Sequence, residues 1–202
     1  PANQREEFRE GFLLFYNRIW ELINLRNDIQ HFQDGLFMQD IPTFSEGSIR
    51  EAVLNAISHR DYRNAGSIFI RQFPRQIEIV SPGGFPVGIT VENILERQLP
   101  RNRRIAETLA KCGFIERSGQ GANRMFEESI RQSKPLPDFS GTDEYQVSVT
   151  LNGEIQDVSF LKFLATVYRE KSISFGTNEL LALDFVHKDK KIPTNLQATL
   201  HS

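Results

Sequence analysis

Apolar residues recur at helical spacing in residues 5–25, REEFREGFLLFYNRIWELINL, where Phe8, Phe12, Phe15, Ile19, Leu22 and Ile23 form one stripe. The pattern predicts an amphipathic helix that packs its Phe face on a sheet or on another helix. Residues 26–44 show no comparable period and read as irregular, with a turn at Asp34-Gly35. A second helical stretch, IREAVLNAISHRDY at 49–62, has two distinct faces. At roughly 100° per residue, Val53, Leu54, Ala56 and Ile57 cover the core side. Glu51, Asn55, Ser58, His59 and Tyr62 share a narrow stripe opposite. Surface helices usually place Lys and Glu there, because long charged side chains lose little by staying solvated. Asn and His are middling helix formers, so this stripe points to a site.

Further along, SIFIRQF and QIEIVS alternate apolar and polar residues about Pro74-Arg75, which predicts an antiparallel hairpin. PGGFPVG is a loop, and TVENILERQ reads as a short helix capped by Thr90. PRNRRIAETLAKCGFIER gives a basic lead-in and a helix stopping at Gly113. SGQGANRMFEESIRQS sets a Gly-x-Gly turn ahead of another helix, KPLPDF is a connector, and YQVSVTL is a last strand. The sum is α/β or α+β, a sheet covered by helices. Near NGEIQDVS the texture changes, which divides the chain into 1–152 and 153–202. The second part reads as helices over Val158–Arg169 and Thr177–His187 and a third starting near Pro193. Short helices with tight connectors suit a helix-turn-helix.

Composition narrows the functions. A net charge of -2 excludes a basic field over the whole surface. A single cysteine, Cys112, excludes an internal disulfide and a cysteine-rich zinc site, as in a cytoplasmic protein. No apolar run approaches the ~18 residues of a membrane span. The chain starts at Pro1 and ends at NLQATLHS, and is expected to be a piece of a longer protein.

Three pieces carry candidate chemistry. Glu51 and Asn55 lie one helical turn apart and can jointly reach a hydrated Mg²⁺ and an attacking water. Gly83 and Gly84 follow a strand and let backbone approach a flat ligand closely. Gly119 and Gly121 open a helix whose N–H groups and dipole favour an anion, with Arg117 and Arg124 flanking. Each piece has a plain alternative. Ser48 and Glu51 have capping-box spacing, Asn55 can be a satisfied buried amide, and His59-Arg60-Asp61 can simply end the helix. The glycines can serve turns, and Arg101-Asn102-Arg103-Arg104 is either a phosphate or partner contact or a solvated basic turn.

REAVLNAISHRDY, IEIVSPGGFP, PRNRRIAETLAKCGFIERSGQGANRM and PLPDF, in that order, resemble the ATPase-like domain at the C-terminus of RecG-like helicases and transcriptional regulators. The resemblance spans residues 1–151 and ties the chain to the gyrase, Hsp90, histidine kinase and MutL superfamily. It implies a Bergerat-type α/β sandwich that binds ATP and Mg²⁺ between the Glu51/Asn55 helix and a lid. Glu51 would activate water as the catalytic residue and Asn55 would hold the metal. His59, Ser81, Gly83, Gly84, Arg101, Asn102, Gly119 and Gly121 would complete the nucleotide site. Ser81 and Pro82 stand where the superfamily's adenine-reading aspartate belongs, which predicts weak, altered or lost ATP binding. No Gly-x-x-x-x-Gly-Lys-[Ser/Thr] motif occurs, so the chain carries no helicase motor of its own.

Residues 154–202 resemble a partial winged helix of transcription regulators, although their acidic and basic residues balance. The HKDKK run supplies Lys188, Lys190 and Lys191 for DNA phosphates, with Thr194, Asn195 and Gln197 facing bases. A solvated turn explains the same run. The expectation is a cytoplasmic, homodimeric transcription regulator with a degenerate ATP site and no membrane segment. A domain that keeps the fold without nucleotide, and a slow Mg²⁺-dependent ATPase, are the rivals.

Overall fold

The computed structural model describes residues 5–34, 37–97, 99–114, 121–171 and 173–189. Helix α1 (Phe12–Asn24) leads into a hairpin of β1 (Ile29–Asp34) and β2 (Phe37–Pro42). Helix α2 (Glu46–His59) precedes the hairpin of β3 (Phe69–Phe73) and β4 (Gln76–Pro82), then α3 (Arg103–Lys111) and α4 (Gly121–Arg131). Strand β5 (Gln146–Asn152), α5 (Val158–Lys171) and α6 (Thr177–Asp189) follow. Among the described residues the fold is thus mixed α/β, with six helices and two small antiparallel sheets.

The larger sheet has the order β3-β4-β5, antiparallel throughout. Its register pairs Ile77 with Leu151 and Ile79 with Val149, so alternate residues of both strands bury on one face. Ala52, Val53 and Ala56 of α2 and Met125, Phe126 and Ile130 of α4 fill the core above that face. Ile77 and Ile130 are 0% exposed, and each contributes about 1.5–3 kcal/mol over an exposed position. Phe160, Leu164, Leu180 and Leu181 of α5 and α6 join the same core, so the C-terminal helices share one apolar interior with the sheet.

The β3–β4 hairpin, α3 with its stop at Gly113 (φ 75°), α4, β5, α5 and α6 fall where the sequence pattern puts them. Four expectations need correction. Residues 5–10 are not helical: α1 begins after Gly11, and Phe8 instead folds back to stack on Phe15 at 4.5 Å. Strands β1 and β2 pair in a regular antiparallel register in place of the expected irregular stretch. Thr90 caps no helix, because the Asn93 side chain accepts from Thr90 N (2.8 Å) and donates to Gly88 O (3.0 Å). Those local bonds compete with helix formation and leave a series of turns. Finally, the N-cap of α2 is Ser45, not Ser48, so Glu51 has no capping-box role. Glu128 of α4 takes that role from a distance. Its Oε2 accepts from Ser45 Oγ, from Ser48 N (3.0 Å) and from Ser48 Oγ (2.9 Å). The third helix expected near Pro193 lies outside the described residues.

Candidate functional site

Helix α2 owes its polar stripe to the 3.6-residue period, and the stripe faces a cavity of about 970 Å³. Glu51, Asn55, Ser58 and His59 line it. Tyr62 does not, because α2 ends at His59; its hydroxyl donates to Ile57 O at 3.1 Å. Ile79 and Ser81 of β4, with Val147 and Val149 of β5, form the sheet side of the cavity. Phe85 and Ile94 close an apolar flank, and Ala122, Arg124 and Met125 face in from the first turns of α4. A cavity of this size with an apolar wall and a few convergent polar groups is the usual form of a small-molecule site.

Half-buried Asn55 makes no side-chain hydrogen bond among the described residues, which leaves its amide available to a ligand. Glu51 lines the same space one turn earlier. Burial lowers the pKa of His59, and the Arg101 guanidinium lowers it further, so the imidazole is neutral at pH 7. Its charged form would lose hydration inside the cavity and meet a like charge.

The last carbonyls of a helix lack intrahelical partners, and α2 recruits side chains for them. Ser81 Oγ donates to Ala56 O at 2.8 Å, while Ser58 Oγ bonds back within the helix to Leu54 O, also at 2.8 Å. Asn102 Nδ2 donates to Ser58 O (2.9 Å) and Arg60 O (2.7 Å). Asn102 therefore closes the end of α2 and is not among the lining residues. Arg101 also stands outside the lining. It donates to Gly84 O and lies 3.5 Å from Asp61 Oδ2. Hydrogen bonds from Arg63, with the charges of Arg63 and Arg101, hold the Asp61 carboxyl well below the usual carboxylate range.

Gly83 and Gly84 line the cavity, but protein atoms account for their lack of a side chain. Gly83 has φ 93°, and a Cβ there would collide with the Arg101 guanidinium and lie 2.7 Å from Asp61 Cβ. A Cβ on Gly84 would run into the backbone of Asp143 and Glu144. Gly121 is the first residue of α4, whereas Gly119 lies outside the described residues. Arg50 was not legible as a site residue. It lines the cavity and donates to Gly113 O (3.3 Å) and Phe114 O (3.2 Å), tying the end of α3 to α2.

The candidate DNA contacts are a separate matter. Lys188 Nζ donates to Asp184 Oδ2 at 2.9 Å, and Asp184 is buried, so an adjacent carboxylate offsets this lysine's charge. Lys190, Lys191, Thr194, Asn195 and Gln197 lie outside the described residues.

Residues 66–151 match the family described as "Putative ATP-dependent DNA helicase recG C-terminal". This segment is similar to the RecG C-terminal ATPase-like family. The RecG-type segment runs from just before β3 to β5, so it includes Ser81, Gly83 and Gly84 while Glu51 and Asn55 lie upstream of it. Among solved structures, the DIP2311 protein of Corynebacterium diphtheriae is similar to 91% of this chain, with a TM-score of 0.78 and 24% identity. That likeness concerns the fold, and it reaches beyond the RecG-type segment to most of the chain. The match covers only 37% of the DIP2311 chain. Comparison with curated proteins gives no match. No described helix is long and apolar enough to cross a membrane.

Proposed function

We propose that the cavity binds an adenine nucleotide together with Mg²⁺, in a Bergerat-type arrangement, and that the bound state acts as a switch. One observation carries the reading: Glu51 and Asn55 of α2 face the same cavity as the first turns of α4. The donor set fits the ligand. Mg²⁺ prefers a few protein oxygens with phosphates and waters completing its shell, and Asn55 offers an amide oxygen beside the Glu51 carboxylate. The apolar flank of Phe85, Ile94 and Val147 suits a flat base.

Each residue then has a stated task. Asn55 would hold the cation, which would supply charge neutralisation at the phosphates. Glu51 would orient a water and accept its proton. Ser81 spends its proton on Ala56 O, so its oxygen keeps only lone pairs for a base amino group. A neutral hydroxyl acceptor is weaker than a carboxylate, which favours modest affinity over tight binding.

Calorimetry with ATP·Mg²⁺ and ADP·Mg²⁺ tests the proposal, with saturable heat expected. No heat at millimolar ligand would replace it with the second reading, a domain that keeps the fold without nucleotide. If turnover accompanies binding, Glu51→Gln is expected to abolish it and leave binding in place.

We further read residues 1–152 as the nucleotide unit and 153–202 as the start of a winged helix that meets DNA, in a homodimeric cytoplasmic regulator. The consecutive helices α5 and α6 support this reading. Duplex binding that weakens steeply with salt is its expected signature, and binding indifferent to salt would remove it.

A further inference from the structure

The geometry points to Arg124 as the residue that contacts the ligand's phosphates, with Glu128 as its positioning residue and Gly47 as the gap that lets the pair form. This inference rests on the nucleotide reading above and assigns the anionic part of that ligand to one end of the cavity. Arg124 lines the cavity in the first turns of α4, where the helix dipole already favours negative charge. Its Nε donates to Glu128 Oε1 at 3.1 Å, one helical turn on. The other carboxylate oxygen of Glu128 is fixed by Ser45 and Ser48 at the start of α2. Glu128 is thus anchored through Oε2 independently of Arg124. The guanidinium is held by a group that is itself held, so part of its ordering precedes the arrival of a phosphate.

Gly47 gives independent support. It sits in the first turn of α2, where no positive φ calls for glycine. A Cβ at this position would collide with Glu128 Oε1 and lie 3.0 Å from Arg124 Nε. Glycine there costs helix propensity, and the Arg124–Glu128 pair occupies the space that its missing side chain leaves. Burial pushes the Glu128 carboxyl up. The hydrogen bonds from Ser45, Arg124 and Ser48 outweigh burial and keep the group below the usual carboxylate range. The carboxylate therefore stays charged beside Arg124 at neutral pH.

The test compares calorimetric affinities of ADP·Mg²⁺, AMP and adenosine for the unaltered chain and for Arg124→Gln, Arg124→Lys and Gly47→Ala. Thermal melts check that each variant is folded. Arg124→Gln should weaken ADP binding by on the order of tenfold, the worth of a charge-assisted contact, and leave adenosine unchanged. Arg124→Lys should recover part of that loss. Gly47→Ala, which removes no polar group, should weaken ADP and spare adenosine. A loss shared equally by ADP and adenosine, or no loss in Arg124→Gln, overturns the assignment while leaving the nucleotide reading intact. An unaltered chain that binds none of the three ligands overturns both.

Discussion

Ser81 Oγ lies 2.8 Å from the carbonyl oxygen of Ala56, so the end of β4 closes the last turn of α2 by a buried side-chain hydrogen bond. A backbone bond runs beside it, from Asp61 N to Pro82 O at 2.8 Å. These bonds fix the two elements that contribute most of the cavity's polar groups.

Removing the first bond should be measurable. Ser81→Ala leaves the Ala56 carbonyl with one partner fewer in a buried setting and should cost about 1 kcal/mol of unfolding free energy. Urea denaturation would read it. An unchanged midpoint would mean that the strand-to-helix contact contributes nothing to stability.

Gly83→Ala should be worse. The backbone there has φ 93°, a region costing an L-residue about 1–2 kcal/mol, and the new methyl would meet Asp61 Cβ as well as Arg101. The expected loss exceeds that of Ser81→Ala by the same assay. It should be accompanied by release of Arg101 from Gly84.

His59 supplies a pH signature. Burial, and then Arg101, lower its pKa from 6.5. Between that lowered value and 6.5 the folded chain binds fewer protons than the unfolded one. The contribution to stability is therefore full above pH 6.5 and is lost as pH falls through the folded pKa. NMR should show the His59 ring titrating below 6.5. Arg101→Gln should move it only part of the way back, because burial is the larger cause.

Lys134 predicts a trend at the alkaline end. It is 4% exposed and donates to Pro42 O (2.7 Å) and Thr43 O (3.0 Å). Burial lowers its pKa from 10.5 to about 8; Glu128 opposes that shift and Arg75 adds to it. Between those values the unfolded chain holds more protons, so stability rises with pH across the window. The gap of 10.5 − 8 = 2.5 pK units bounds the rise at about 3 kcal/mol. Denaturation from pH 8 to 10.5 should show a rise that is missing in Lys134→Met.

The site was legible in the sequence where its cause is local and periodic. Glu51, Asn55, Ser58 and His59 share a helical stripe, and that stripe reaches the cavity. The β3–β4 hairpin was legible because Ile77 and Ile79 alternate with polar neighbours over a buried face. The β1–β2 hairpin was not. IQHFQD and FMQDIP show no alternation, since much of this ribbon, including Ile29 and Met38, is exposed. Only the Asp34-Gly35 pair hinted at it. Contacts made across long separations left no local mark. Glu128 caps a helix 80 residues upstream, and Asn102 closes the end of the same helix from 42 and 44 residues downstream. Capping-box spacing at Ser48 and Glu51 was misleading for that reason. The sequence shows which residues are near one another in the chain, not which distant carboxylate is within reach.

Helix α4 has one more consequence. Its first turns face the cavity through Ala122, Arg124 and Met125, and the rest of it packs against α6. Glu127 accepts from Thr177 at the start of α6, and Arg131 donates to Phe175 O at 2.6 Å. An α-helix of this length transmits displacement like a short stiff rod, because its rise per residue is fixed by its own hydrogen bonds. Arg124 at the cavity and Glu127 and Arg131 beneath α6 are therefore carried on one rigid segment.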